Sequence, residues 1–403
     1  MMKTRTAAGV VTVFAGLALL ASCDETPTPS PAKPVTVAPL PQPAAIVAVP
    51  GTRPAATFTS KPRILGPLGP AIVVLPAQIA EPQIRVCLIS LGEHDGPVSI
   101  PRNKYRGSVQ SVRLATGRYV AVNTLPLDTY LTGVLAKELY GDWKPEAFRA
   151  QAIASRTFAL FQMCTDGKSK PWDVNDNDTS QVYGGISGEK PVARAAVAAT
   201  RGQVLTAFFQ GREGIFCARY SACIGGASQD PFDAWGDATV SPLAAHLTGN
   251  VDDNCDKYTW DRDFFVSSAD LTRCIQNWGE QNDVPALAHL RKIQSVSIAQ
   301  KNPATHRPTE LLLADTAGSS VLIRAEEFRL ALKYDPLNRA AKPYSSNFEI
   351  RPENDGFLMY NGHGFGHGIG LSQWGAENLA TRGYSHAQIL AYFYPGAQVR
   401  DLW

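Results

Sequence analysis

From about residue 84 onward, apolar positions recur at strand or helix periods, and the elements they predict can be read in chain order. Residues 84–91 and 118–123 read as strands, separated by a basic, glycine-containing turn region around Tyr105, Arg106 and Gly107. At 128–140 the period changes to helical. Leu131, Val134, Leu135 and Leu139 form one stripe, with Asp128 expected as N-cap and Gly141 as the stop. Glu138 lies four residues after Val134 and three after Leu135, so the core-facing side of this helix carries a carboxylate. Such a group is either paired inside the protein or set at the floor of a cleft.

Pro145 opens a longer helix whose small residues, Ala147, Ala150, Ala152, Ala154 and Ser155, allow close packing, interrupted by Gln151 and Arg156. After a polar loop at 173–185, residues 191–201 predict an alanine-rich helix stopped by Gly202. A hairpin is expected at 203–209 and 215–221, a short helix at 269–278, strands near 290–299 and 310–324, and a helix at 326–333. Strands at 347–351 and 356–360 lead into a glycine run, and Ser385 is expected to cap a last helix. Helices and strands interleave without a βαβ rhythm, which predicts an α+β fold.

The glycine run, residues 361–380, reads NGHGFGHGIGLSQWGAENLA and holds Gly362, Gly364, Gly366, Gly368, Gly370 and Gly375 beside His363, His367, Ser372, Gln373 and Trp374. A stretch so poor in apolar side chains is expected to form a site rather than fill a core. Its missing Cβ atoms would let backbone or ligand approach closely. It lacks the spacing of a phosphate loop.

Composition bounds the setting. Lys3 and Arg5 precede an apolar run at 10–20 that is too short to span a bilayer and stands where a secretory signal would. Residues 24–81 are dominated by proline, alanine, threonine and valine, and read as a tether of about 3 Å per residue where extended. The net charge of +2 argues against a general nucleic-acid binder.

Several stretches together resemble one family. The signal region ends Leu20-Ala21-Ser22-Cys23, similar to the lipobox of bacterial lipoproteins, which implies cleavage before Cys23 and a lipid on its thiol. TYLTGVLAKEL, PEAFRAQAIASRTFAL, SQVYGG, ATRGQVL, YSACIGG and GHGFGHGIGLSQWGA then follow in the order seen in the stage II sporulation protein D (SpoIID/LytB) family. The resemblance implies a signal peptide at 1–22, a lipidated cysteine and tether at 23–83, and a SpoIID-like domain at 84–403. That domain would combine mixed sheets and packed helices in a two-lobed unit around a glycan-binding groove.

It further implies a cell-envelope protein, lipid-anchored in a membrane and facing the periplasm or exterior, acting on peptidoglycan strands as a lytic transglycosylase. The alternative is a non-catalytic enhancer of a cell-wall amidase. The family's glutamate falls on Glu138. Its polar positions fall on Gln151, Arg156, Tyr220, Ser221, His363, His367, Ser372 and Gln373, the expected substrate contacts. No cofactor is required. Some members bind zinc through His-x5-Cys-x5-Cys; here Cys217 and Cys223 keep the second spacing, but Gly211 stands at the histidine position. Zinc would need a substitute such as Cys255 or His246. Disulfides among the six cysteines other than Cys23 are the preferred reading, since an exported chain meets oxidising conditions.

Overall fold

A computed structural model describes residues 69–403 except Arg102, Pro336 and Asn338. The expected signal, Cys23 and the tether up to residue 68 lie outside the described residues. None of the described helices is long and apolar enough to cross a membrane.

The fold is α+β, with small sheets packed on helices around three main hydrophobic clusters. The first sheet runs in the order Ser108–Arg113, Tyr119–Pro126, Gln83–Cys87, Val174–Asn175, all antiparallel except the last pair. Ser108–Arg113 was not foreseen: polar residues dominate its exposed positions and mask the strand period. Against this sheet packs the helix Leu127–Glu138, burying Tyr130, Leu131, Val134 and Leu135. Pro126, not Asp128, occupies its N-cap; Asp128 sits in the first turn, where its carboxylate is committed elsewhere.

The helix Pro145–Cys164 is the spine between two clusters. Phe148, Ala152, Ala159 and Leu160 face the first cluster, while Ala147, Ala150, Ile153 and Ala154 face the second. Its small side chains serve that two-sided packing, because partners on both sides approach the backbone closely. The sheet Gln398–Asp401, Gln203–Phe209, Arg212–Ile215 and the capping-box helix His386–Phe393 complete the second cluster.

The third cluster is built by two three-stranded sheets and the helices Ser268–Gln281 and Ala325–Ala331. The expected strand at 310–324 is instead a hairpin, Pro308–Asp315 and Ser320–Arg324, turning through Gly318. Ser372 caps a helix not foreseen, Gln373–Thr381.

Arg156 links the first two regions. Its fully buried guanidinium reaches Asp128 Oδ1 from both Nε and Nη2 at 2.7 Å and donates to the Gln203 carbonyl at 3.0 Å. Trp403 Nε1 donates to the other Asp128 oxygen at 3.1 Å. Removing one partner of such a pair leaves a charge stranded in low dielectric. Asp128→Ala is therefore expected to lower unfolding free energy by about 3 kcal/mol in urea titrations.

Candidate functional site

Glu138 is the last residue of its helix, a position where helix carbonyls already disfavour an anion. Its Oε1 accepts the Val182 backbone N–H at 3.0 Å, and its Oε2 accepts Gln373 Nε2 at 3.2 Å. Burial pushes its pKa above the ordinary 4.5, and the nearby Asp178 charge adds to this. The Val182, Gln373 and Tyr220 donors pull partly the other way. The net direction is upward, with burial the largest cause.

A relay of polar groups stands behind it. Gln151 Nε2 donates to Ser155 Oγ at 3.0 Å, Ser155 hydrogen-bonds Tyr220, and Gln181 Nε2 donates to the Tyr220 hydroxyl at 2.9 Å. Burial raises the Tyr220 pKa well above its usual value, so the phenol remains a donor toward Glu138. Tyr130 in turn donates to Gln181 Oε1 at 3.2 Å. Gln181 lies in the SQVYGG stretch and was missed as a site residue, although the motif had drawn attention to its surroundings.

Glu138 opens into a cavity of about 780 Å³. Around it stand Tyr220, Ser221, His367 and Gln373, as expected, together with Phe158, Arg219, Trp235 and Phe365, which sequence reasoning did not single out. The short parallel pairing of Tyr220–Ser221 with Leu371–Ser372 brings the two distant motifs side by side. His367 Nδ1 accepts the Ile369 N–H at 3.0 Å, and its ring meets Trp235 edge-on with centroids 5.3 Å apart. Burial first, then the positive charges of Arg219, Arg329 and Arg307, drive its pKa well below 6.5, so the ring is neutral.

The other expected contacts stand elsewhere. Gln151 and Arg156 are fully buried and do not line the cavity. Ser372 is fully buried, donates to Asp252 Oδ2 at 2.8 Å and caps its helix by accepting Gly375 N–H at 3.2 Å. His363 is directed at the Tyr258 carbonyl, 3.2 Å from Nδ1, and does not line the cavity.

The glycine run also departs from expectation. Ile369, Leu371, Ala376 and Leu379 are buried in the second cluster, so the run does fill core. A Cβ on Gly368 would fall 2.2 Å from Arg307 Nη1, and one on Gly370 would fall 2.1 Å from the Arg219 carbonyl; both residues also have positive φ. These glycines admit the protein's own atoms rather than a ligand. Arg307, fully buried, donates to the carbonyls of Ala227 at 2.9 Å and His367 at 3.4 Å, thereby anchoring the turn that presents His367.

The preferred disulfides are not formed: Cys87, Cys164, Cys217, Cys223, Cys255 and Cys274 are free. They are spread over separate packing regions, with Cys87 on the first sheet and Cys274 in the third cluster. Cys223 and Cys255 do meet by side chain. The residues do not fit zinc. Cys217 lies 3.8 Å from Gln162 Nε2, whereas Cys223 points toward the Asp252 carbonyl at 3.9 Å. His246 Nδ1 is engaged with the Ala244 carbonyl at 3.0 Å, and no three His, Cys, Asp or Glu side chains form a metal-sized group among the described residues.

Residues 115–207 match the family model described as stage II sporulation protein, and residues 238–370 match a domain of unknown function, DUF8618. The chain is 27% identical to the stage II sporulation protein D of Bacillus amyloliquefaciens over 76% of this chain and 80% of that one. It is 27% identical to an uncharacterized protein of Brachyspira hyodysenteriae over 70% and 68% of the two chains. Against the amidase enhancer of Bacillus subtilis the figure is 25%, over 66% of this chain and 39% of that protein.

The raised Glu138 pKa gives a stability signature. With the folded value above 4.5, Glu138 costs nothing below 4.5 and destabilises progressively as pH rises through the folded value. Glu138→Gln should match wild-type melting temperature near pH 4 and exceed it at pH 8, as followed by scanning calorimetry.

Proposed function

The chain belongs to the stage II sporulation protein family through residues 115–207, and from that premise we propose that it cleaves peptidoglycan glycan strands as a lytic transglycosylase at the cell envelope. The observation that carries this reading is Glu138, a carboxyl whose pKa burial raises above 4.5, lining a cavity together with aromatic and hydrogen-bonding side chains. Phe365 is exposed at the rim, and aromatic faces of this kind suit the C–H faces of sugars.

A hydrolase of glycosides uses two carboxyl groups, one as acid and one to attack or to activate water. The other carboxylates on the wall are poorly placed for that partnership. Glu326 is bound on both oxygens by Arg329, at 3.0 Å from Nε, and Asp178 sits on an exposed loop. A lytic transglycosylase needs one group in two successive roles.

In this reading Glu138 gives its proton to the glycosidic oxygen as the C1–O bond breaks. The resulting carboxylate then takes the proton of the same sugar's C6 hydroxyl, whose oxygen closes on C1. No water is consumed, and Glu138 ends protonated as it began. Tyr220 and Gln373 hold the carboxyl in place and stabilise its ionised form between the two steps. His367, neutral and hydrogen-bonded to backbone, positions the wall.

The second reading is a non-catalytic strand binder that stimulates a cell-wall amidase, favoured by the similarity to the protein named amidase enhancer. Incubation of the protein with purified peptide-free strands, followed by mass spectrometry, separates the two. The enzyme reading predicts 1,6-anhydro ends, lost by at least about 100-fold in Glu138→Gln. Strand binding without anhydro ends in the wild type would leave the enhancer reading.

A further inference from the structure

Cys223 follows directly on the cavity-lining residues Tyr220, Ser221 and Ala222, and its backbone exchanges two hydrogen bonds with that of Phe365, at 3.0 and 2.8 Å. Cys255 opens a stretch that holds the same part of the glycine run. The Lys257 carbonyl accepts the Gly364 N–H at 2.9 Å, and the Trp260 N–H donates to the Gly362 carbonyl at 2.8 Å. The two cysteine side chains meet in the interior, only 1% and 4% exposed. Cys217, the other cysteine near Tyr220, meets Gln162 Nε2 at 3.8 Å instead.

Asp252 adjoins both thiols. Its carbonyl lies 3.9 Å from Cys223 Sγ and accepts the Cys255 N–H at 3.1 Å, and its side chain is also in contact with Cys223. Oδ2 is engaged by the N–H groups of Ile224 at 2.6 Å and Gly225 at 3.2 Å and by the Ser372 hydroxyl at 2.8 Å. The buried Oδ1 has no hydrogen-bond partner among the described residues. The Cys223 thiol first, against burial, and then the Lys257 N–H at 3.4 Å hold the Cys255 pKa below the ordinary 9.0, with the Asp256 and Asp252 charges opposing. Hydrogen bonding to Cys255, burial and the Asp252 charge raise that of Cys223. Cys255 is therefore the thiol that attacks first.

We propose that Cys223 and Cys255 are a disulfide-forming pair, oxidised by a low-molecular-weight disulfide, and that their bond locks the Phe365 turn to the loop at 252–260. Asp253, Asn254 and Asp256 around Cys255 are exposed, so local opening of this surface turn admits a small oxidant RS–SR. Cys255 attacks one of its sulfurs, the S–S bond breaks, and RSH leaves with the Cys255 proton. Cys223 then attacks the Cys255 sulfur of the mixed disulfide. Its proton passes to Asp252 Oδ1 and on to the second departing thiolate. The two cysteines lose two electrons and two protons, and the oxidant gains both as two molecules of RSH. Closing the loop from Cys223 to Cys255 restricts the unfolded chain and so stabilises the folded one.

The test reduces the full chain, equilibrates it with oxidised glutathione, digests it without reductant and reads the peptides by mass spectrometry. A peptide joining Cys223 to Cys255 is expected, together with a melting temperature about 5 °C above that of the reduced chain. Cys255→Ser and Cys223→Ala should each remove the redox-dependent shift; if one of them fails to fold, the other decides. Recovery of both cysteines as free thiols or as separate glutathione adducts overturns the proposal, as does a bond from either to another cysteine. A shift that persists in a folded Cys255→Ser also overturns it. The joined peptide without any rise in melting temperature keeps the pair and overturns the lock.

Discussion

A carboxyl group holds its proton above the ordinary carboxyl range where water is withdrawn and the donors that remain do not fully compensate. At Glu138 those donors come from far away in the chain: the Val182 N–H, 44 residues on, Gln373, 235 residues on, and the Tyr220 hydroxyl. The fold's long-range connections converge on this requirement. The spine helix holds Gln151 and Ser155 beneath Tyr220, the pairing of Tyr220–Ser221 with Leu371–Ser372 brings up Gln373, and the loop after Val174–Asn175 delivers Gln181 and Val182.

The glycine run belongs to this scaffold more than to the ligand. Its alternating left-handed glycines thread the backbone between Arg307 on one side and the Arg219 carbonyl on the other, and the result is a neutral His367 held against Trp235. Arg307 is buried beside carbonyl oxygens, and desolvation lowers its pKa to about 10, still far enough above neutrality to keep the cation. Positive charge inside the turn and the absence of a proton on His367 Nδ1 are therefore two sides of one arrangement.

Much of this was legible before the fold. The helical stripe placed Glu138 on the packed side, because periodicity reports which face is dry. Pro145 at N1 and Ser385 at an N-cap were readable from local chemistry alone. Motif resemblance collected Tyr220, Ser221, His367 and Gln373, which do share one cavity. It could not separate a polar residue facing the cavity from one facing inward: Arg156, Gln151 and Ser372 carry similar side chains but serve ion pairing, a relay and a cap. Another part of the cavity lining was invisible for another reason. Trp278, Arg329 and Lys333 sit on helices whose sequence looks like ordinary amphipathic structure, and only tertiary packing brings them to the cavity that Glu138 also lines.

The central claim is that Glu138 holds its proton above the ordinary carboxyl range. Carbon-13 NMR of the protein labelled at glutamate side-chain carboxyls measures it directly. The account predicts one resonance, absent from Glu138→Gln, that titrates with a midpoint above 4.5. A Glu138 resonance titrating at or below 4.5 would contradict it.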